Sequence, residues 1–174
     1  MNKILETERL LLRELEVSDA KAMFELNSDP EVIRWTGDPP FESEAQVAEF
    51  LRNYPDYDRN GYGRWAVIVK ESGEFVGWCG LKLNEQNLID LGYRFFRKDW
   101  GKGYATESAL ASLGYGFLAL GMDEIIGRVA RENPASVRVL EKIGMTFWKE
   151  DACKGIVDSL YYKIDRKEYQ KLYE

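Results

Sequence analysis

The sequence predicts one α/β domain, built on a mixed sheet of about six to seven strands with helices on both faces. Three observations carry that reading. Strand-like and helix-like runs follow one another in the order β-α-α-β-β-β-α-β-α-β-β. The three consecutive strands in the middle are joined by short turns, which makes them an antiparallel meander. The 174 residues fill a single domain, residues 1–174, and no composition break, repeat or low-complexity stretch divides them.

Each element has a local reason. Residues 9–15 hold Leu10, Leu11 and Leu12 between arginines and read as a strand buried in its middle. Ser18 or Asp19 then caps a helix that runs to about Asn27. Pro30 and the Gly37-Asp38-Pro39-Pro40 run mark a loop-rich stretch. Ser43 opens a second helix, with Ala45, Val47, Ala48, Phe50 and Leu51 as its apolar positions and Glu44 in its first turn. Residues 64–70, 75–83 and 88–96 form the meander, turning at Ser72-Gly73 and at residues 84–87. Ala105, Ala109, Leu113 and Phe117 recur at helical spacing and give a helix over 105–118 a buried face. A strand over 124–130 follows. Asn133 as cap, Pro134 as first helical residue and Gly144 as terminator bracket a short helix. Two strands, 145–151 and 159–164, and a terminal helix over 165–173 complete the chain.

Composition narrows the function. Twenty-four basic against 30 acidic residues give a net charge of −6, which disfavours nucleic-acid binding. There is no histidine, so Ser-His-Asp and Cys-His mechanisms are excluded and proton transfer falls to Asp, Glu, Tyr, Cys, Lys or water. No metal site is expected. Cys79 and Cys153 form no disulfide framework and read as small buried hydrophobes. No run of eighteen apolar residues occurs, and the first residues lack a signal-peptide core, so a cytoplasmic location with no membrane partner is expected.

The chemistry concentrates at Trp100-Gly101-Lys102-Gly103-Tyr104-Ala105, between a strand and a helix. Alternate glycines let the backbone come close to a ligand. The helix start adds unpaired N–H groups and the positive end of its dipole, a site for a phosphorylated ligand. Arg97, Lys98 and Lys102 add positive charge. Glu107, in the first helical turn, opposes a phosphate unless its side chain points away. The alternative is a tight strand-to-helix turn and nothing more.

Four patterns in order, Glu8-Arg9-Leu10-Leu11-Leu12-Arg13, Asp90-Leu91-Gly92-Tyr93, residues 100–107 and residues 133–145, resemble the GNAT superfamily of N-acetyltransferases, most closely its RimJ/RimL-like branch. The resemblance implies acetyl-CoA as donor and an amine as acceptor, either a protein N-terminus or a small molecule. It implies a mostly antiparallel, twisted sheet that splays at the middle, where the strand before the loop parts from its neighbour after a bulge. The family's loop pattern, Gln/Arg-x-x-Gly-x-Gly/Ala, falls on Trp100 to Ala105, with Trp100 at the Gln/Arg position as a mark of the branch. Gly101, Lys102, Gly103, Tyr104 and Ala105 then hold the CoA pyrophosphate. Tyr93, Phe95 and Phe96 offer a strand edge to the pantetheine arm, and an N–H between Leu91 and Tyr93 holds the thioester oxygen. Asn133 bonds the pantetheine arm or simply caps its helix. Arg138 or Lys142 reaches the 3′-phosphate, or both lie on a solvated helix face. The family is compatible with a homodimer.

The resemblance implies direct attack by the amine on the thioester. A lysine-type amine costs about 4–5 kcal/mol to neutralise at pH 7, a protein α-amine only about 1–1.4 kcal/mol. Asp90 is the base candidate; its alternative is a carboxylate paired with an arginine. Strand alternation puts Asp90 on one face with Gly92 and Arg94, opposite Leu91, Tyr93 and Phe95. The family's tyrosine acid falls on Leu140, so Ser136 is the candidate donor to the leaving thiolate, with Tyr161 and Tyr162 behind it. The acceptor site is expected from Trp35, Asp38, Phe41, Tyr57, Tyr62 and Trp65, with Asp29, Glu31 and Asp38 favouring a cation. A non-catalytic acyl-CoA-binding module is the alternative function.

Overall fold

The protein was analysed as a computed structural model that describes residues 1–153 and 155–174. Eight strands form one sheet in the order β1-β2-β3-β4-β5-β6-β8-β7. β1 (Lys3–Glu6) pairs antiparallel with β2 (Leu10–Glu14), which pairs with β3 (Arg64–Val69). β3, β4 (Phe75–Leu83) and β5 (Ile89–Phe95) are the expected meander. β6 (Glu124–Ala130) lies parallel to β5, and β8 (Ile156–Asp165) and β7 (Thr146–Cys153) close the far edge as a hairpin. β1 is an addition to the seven expected strands: its four residues are too few to register a period of their own and are held by pairing with β2.

Helices cover both faces. α1 (Ala20–Ser28), the short α2 (Pro30–Ile33) and α3 (Glu44–Arg52) enclose a small core of Met23, Leu26, Val32, Val47 and Leu51 against Phe75, Trp78 and Phe96. α4 (Asp56–Asn60) leads into β3. α5 (Tyr104–Gly114), α6 (Pro134–Lys142) and α7 (Arg166–Tyr173) pack on the larger core, in which Leu10, Leu12, Trp65, Leu81, Leu113 and Ile125 are fully buried. α2 and α4, in stretches read as loop, are single turns, too short to show an apolar period.

The caps follow the sequence with one exception. The Ser43 hydroxyl accepts from Gln46 N–H at 3.1 Å, the Asn133 side chain accepts from Ser136 N–H at 3.4 Å, and Asp165 and Glu168 form a reciprocal capping box. Neither Ser18 nor Asp19 caps α1 with its side chain. Asp19 instead accepts from Glu16 N–H and from both terminal nitrogens of Arg13, at 2.7 to 2.8 Å, and a single 3-10 turn, Val17–Asp19, precedes the helix. At its other end α5 widens into a π-helical turn, Tyr115–Ala119, with Leu120 N–H bonded to Tyr115 C=O at 3.1 Å. Gly116 permits that turn to lie on the sheet, because a Cβ there would stand 2.8 Å from Ile125 Cδ1.

β5 and β6 form parallel pairs only at Asp90↔Ile126 and Leu91↔Gly127, and beyond them the strands part. β5 itself stays paired with β4 in one unbroken register from Ile89 to Phe95. The splay therefore needs no bulge in β5, contrary to expectation; the sheet's register shift on β4 lies on its opposite side, against β3.

Trp65 is fully buried, stacked edge-on against Tyr115 with ring centroids 5.5 Å apart. Among the described residues its indole N–H has no partner. Trp65→Ala is expected to destabilise the fold by about 3–5 kcal/mol. Trp65→Phe should cost clearly less, because it removes the unsatisfied donor along with part of the ring. Urea denaturation of the two variants checks the difference.

Candidate active site

The parting of β5 from β6 opens a cleft of about 610 Å³. Its lining comes from the end of β5, the loop and first turn of α5, the end of β6, and α6. Phe96 N–H bonds back to Val76 on β4, so strand alternation turns the N–H and C=O of Tyr93 and the N–H of Phe95 toward the side that β6 has left. The Phe95 carbonyl is taken by the Trp100 indole N–H at 2.9 Å, which ties the loop to the strand end.

The loop presents a run of donors. Gly101 and Gly103 adopt φ of +76° and +83°, left-handed values that suit glycine. The first helical bond of α5 is Glu107 N–H to Gly103 C=O, at 3.0 Å. Among the described residues no protein acceptor meets the six consecutive N–H groups from Gly101 to Thr106. The Glu107 carboxylate turns away from them. It accepts from the Thr7 hydroxyl at 2.6 Å, from Arg9 N–H at 2.9 Å and from the Arg9 guanidinium at 2.7 Å. Arg9 also donates to the Lys102 carbonyl at 2.8 Å and stacks over the Tyr104 ring at 4.8 Å. The loop's carbonyl side is thus clamped to the start of β2, and its N–H side faces the cleft. Burial works to raise the Glu107 pKa, but Thr7 and Arg9 outweigh it and hold the carboxyl below its usual range.

In the middle of the cleft the Tyr93 and Ser136 hydroxyls are 2.8 Å apart. Burial pushes the Tyr93 phenol well above its ordinary pKa, with the Ser136 bond opposing, so the group stays protonated at neutral pH. On the other face of β5, Asp90 is 4% exposed and bonds through Oδ2 to Arg128 Nε at 2.7 Å and to Asn84 at 3.4 Å. Burial opposes the charge on Arg128, but Glu85 and Asp90 more than offset it and raise its pKa. Arg94 reaches Asn27 and, at 2.8 Å, Asp38; burial lowers its pKa and Asp38 opposes the shift.

The family model described as an acetyltransferase (GNAT) domain matches residues 9–146. The chain belongs to the GNAT acetyltransferase family. This acetyltransferase is 33% identical to an uncharacterised N-acetyltransferase, p20, of Bacillus licheniformis over 95% of the present chain and 97% of p20. It is 34% identical to the FsC-acetyl coenzyme A-N(2)-transacetylase of Aspergillus fumigatus, over 97% of this chain and 78% of that one. A GNAT-family acetyltransferase structure from Bacillus anthracis superposes with a TM-score of 0.78 at 31% identity, covering 94% of this chain and 98% of the other. The spermidine N-acetyltransferase of Vibrio cholerae, solved with CoA and spermine, shares the fold with a TM-score of 0.80 at 24% identity, covering 94% and 99%.

The acetyltransferase cleft gathers most of the residues singled out in the sequence: Asp90, Tyr93, Phe95, Trp100, Gly101, Gly103, Tyr104, Ala105, Asn133, Ser136, Arg138, Lys142 and Trp35. Others lie elsewhere. Phe96 alternates to the opposite face and packs edge-on against Phe75, at 6.5 Å. Arg97 forms a two-pronged pair with Asp29, at 2.8 and 2.9 Å, and Lys102 pairs with Asp99 at 3.0 Å. Asp38 is drawn to Arg94 and stands behind the lining. Trp65 is wholly in the core, and Tyr62 packs against that core outside the cleft. Tyr57 is likewise structural, accepting from Leu15 N–H at 2.9 Å and bonding the Arg64 carbonyl, and Phe41 packs on Phe50 at 5.7 Å. Tyr161 and Tyr162 are buried and bond the Ala152 carbonyl and Glu141. Cys79 is fully buried, whereas Cys153 is half-buried on the cleft.

The sequence reading missed the clamp role of Arg9 and the presence of Arg64, Arg94 and Arg128 in the cleft. Arg9 stood inside a quoted motif. Alternation along its strand had put Arg94 on the face of Asp90, whereas Arg64 and Arg128 carry no local signal, because strands far apart in sequence bring them there.

Two outcomes follow for the loop. Gly103→Val combines a left-handed backbone with a Cβ 3.2 Å from Arg9 Nη2, so it should weaken binding of CoA in calorimetry by at least about tenfold while leaving the sheet folded. Glu107→Gln removes a carboxylate whose folded pKa is depressed. Its contribution to stability is present above the ordinary glutamate value of about 4.3 and is lost as pH falls through the lower folded value. The wild-type advantage in Tm over Glu107→Gln is therefore expected near neutrality and should shrink once the pH drops below about 4.3.

Proposed function

We propose that this acetyltransferase takes its acetyl group from acetyl-CoA and passes it to a primary amine by direct attack of the amine nitrogen on the thioester. The run of N–H groups from Gly101 to Thr106 carries the reading. Converging donors at a helix start fit a pyrophosphate, and Glu107, the acidic residue of the first helical turn, is held away from them. Arg138 and Lys142 line the same half of the cleft, and among the described residues neither has a carboxylate within ion-pair distance, which suits a phosphate further along the donor. Asn133 uses its Oδ1 to cap α6 and keeps its amide N–H₂ for the pantetheine arm. The Tyr93 N–H, facing the gap left by β6, is the donor for the charge that develops on the thioester oxygen. Trp100 at the loop's first position supports the RimJ/RimL-like reading.

Proton movement follows from the two faces of β5. Asp90 takes the proton from the incoming ammonium, directly or through one water, using the carboxylate oxygen not engaged by Arg128. The neutral nitrogen bonds to the thioester carbon, the carbon–sulfur bond breaks, the leaving thiolate takes the Ser136 hydroxyl proton, and the nitrogen sheds its second proton to water. Water returns a proton to Ser136, whose hydroxyl is held in place by Tyr93, itself kept protonated by burial. Leu140, buried at 2% exposure against the core, takes no part in this transfer.

Ser136→Ala and Tyr93→Phe are each expected to lower kcat by up to about 10²-fold with little change in the Kd for CoA. The double variant should lose no more than the worse single variant, because Tyr93 acts through the Ser136 hydroxyl. Thiol release and calorimetry measure the two quantities. Undetectable binding of both CoA and acetyl-CoA to the wild-type protein would overturn the reading as a whole.

A further inference from the structure

The acceptor side of the cleft, the face of β5 that bears Asp90, Gly92 and Arg94, is lined by three guanidinium groups. Two are compensated by carboxylates: Arg94 by Asp38 at 2.8 Å, and Arg128 by Asp90 at 2.7 Å and by Glu85. Arg64 differs. Its Nη1 donates to the main-chain carbonyls of Gly80 and Asp90, both at 2.8 Å, and its guanidinium lies 5.3 Å from the Trp78 ring centroid. Among the described residues no carboxylate approaches it within ion-pair distance, and no protein acceptor meets its Nε or Nη2. The group is fixed on two backbone oxygens and an indole face, with its remaining fork of donors left over.

Its position is specific. The guanidinium lies flat on Gly92: a Cβ there would stand 2.6 Å from Nη2 and 2.7 Å from Cζ. Gly92 is the first residue of β5 past the last pair with β6, at the mouth of the gap. An uncompensated, pre-ordered guanidinium thus holds the main-chain carbonyl of Asp90, the residue whose carboxylate is proposed to meet the acceptor amine. A guanidinium without a carboxylate, on the same face as the group proposed to meet the amine, is the complement of a molecule that carries both an amine and an anion. A two-donor fork is matched by a carboxylate. A polycation brings charge of the wrong sign to Arg64.

We propose that Arg64 binds an anionic group on the acceptor, and that the preferred substrates are amines bearing a nearby carboxylate, such as free amino acids, over polyamines and uncharged amines. The assignment rests on the proposed acetyl-CoA:amine transfer. Arg64 is a specificity-determining residue of that reaction.

The test compares free amino acids with their own carboxamides, together with spermidine and peptides with free N-termini, at saturating acetyl-CoA with a thiol-release readout. The amide keeps the amine and removes only the anion. The expected result is a kcat/KM for the acids at least tenfold above that of the matched amides and of spermidine, with the difference in KM. Arg64→Gln should collapse the acid-to-amide ratio toward one, and Arg64→Lys, which keeps the charge without the fork, should keep part of it. Equal or better turnover of amides or spermidine, no turnover of any acid, or an Arg64→Gln variant that retains the ratio would each overturn the assignment. CoA binding by calorimetry separates this failure from that of the parent reading. Binding with turnover of polyamines or peptides alone removes only the role of Arg64, whereas absence of binding removes the acetyl-CoA chemistry itself.

Discussion

The structure depends on the parting of two parallel strands. β5 and β6 share two residue pairs and then separate, while each stays fully paired on its other side, with β4 and β8. A strand that loses one neighbour in the middle of a sheet exposes backbone donors and acceptors that must find other partners. Here they become the wall of a cleft. The same event sends the chain from the end of β5 into the α5 loop and from the end of β6 into α6, so two helix starts converge on one gap. Tyr93 and Ser136 meet across the gap from either side, their hydroxyls 2.8 Å apart.

One strand then serves two chemistries because its side chains alternate. Tyr93 and Phe95 face the larger core and the loop, where the donor is proposed to lie. Asp90, Gly92 and Arg94 face the opposite side, toward α1 and α2, where the acceptor enters in this reading. The charges on each side are arranged by contacts remote in sequence. Glu107 is drawn off the anion site by Thr7 and Arg9, and Asp38 and Asp90 neutralise all but one of the guanidiniums on the acceptor face. What remains uncancelled, the loop N–H groups with Arg138 and Lys142 on one side and Arg64 on the other, is what the cleft offers to ligands.

Local physics was legible wherever a signal was complete within a few residues. The meander, the caps at Ser43 and Asn133, the glycine loop and the alternation along β5 all appear where the sequence put them. Single-turn helices and the four-residue β1 were not legible, because they are too short to carry a period. The aromatic residues near the loops misled for a related reason. Trp65 sits on a strand whose neighbours cover it on the core side, and adjacency to a loop-rich stretch says nothing about which face a ring occupies. Phe96 differs from Phe95 by one step of a two-residue alternation, and that step moves it to the other core.

The sequence by itself determined that this chain folds as a single sheet with a glycine loop opening a helix. Through four motifs it also pointed to the family and to a donor-binding loop. These are consequences of short-range rules: period, capping and backbone freedom. Only the tertiary structure decided what the ionisable groups do. Asp90 acquired Arg128 across the β5–β6 pair, Glu107 acquired Arg9 from nearly a hundred residues away, and Arg64 was left without a carboxylate. Charge pairing depends on distances of a few ångströms between strands far apart in the chain, and those distances exist only once the sheet has formed.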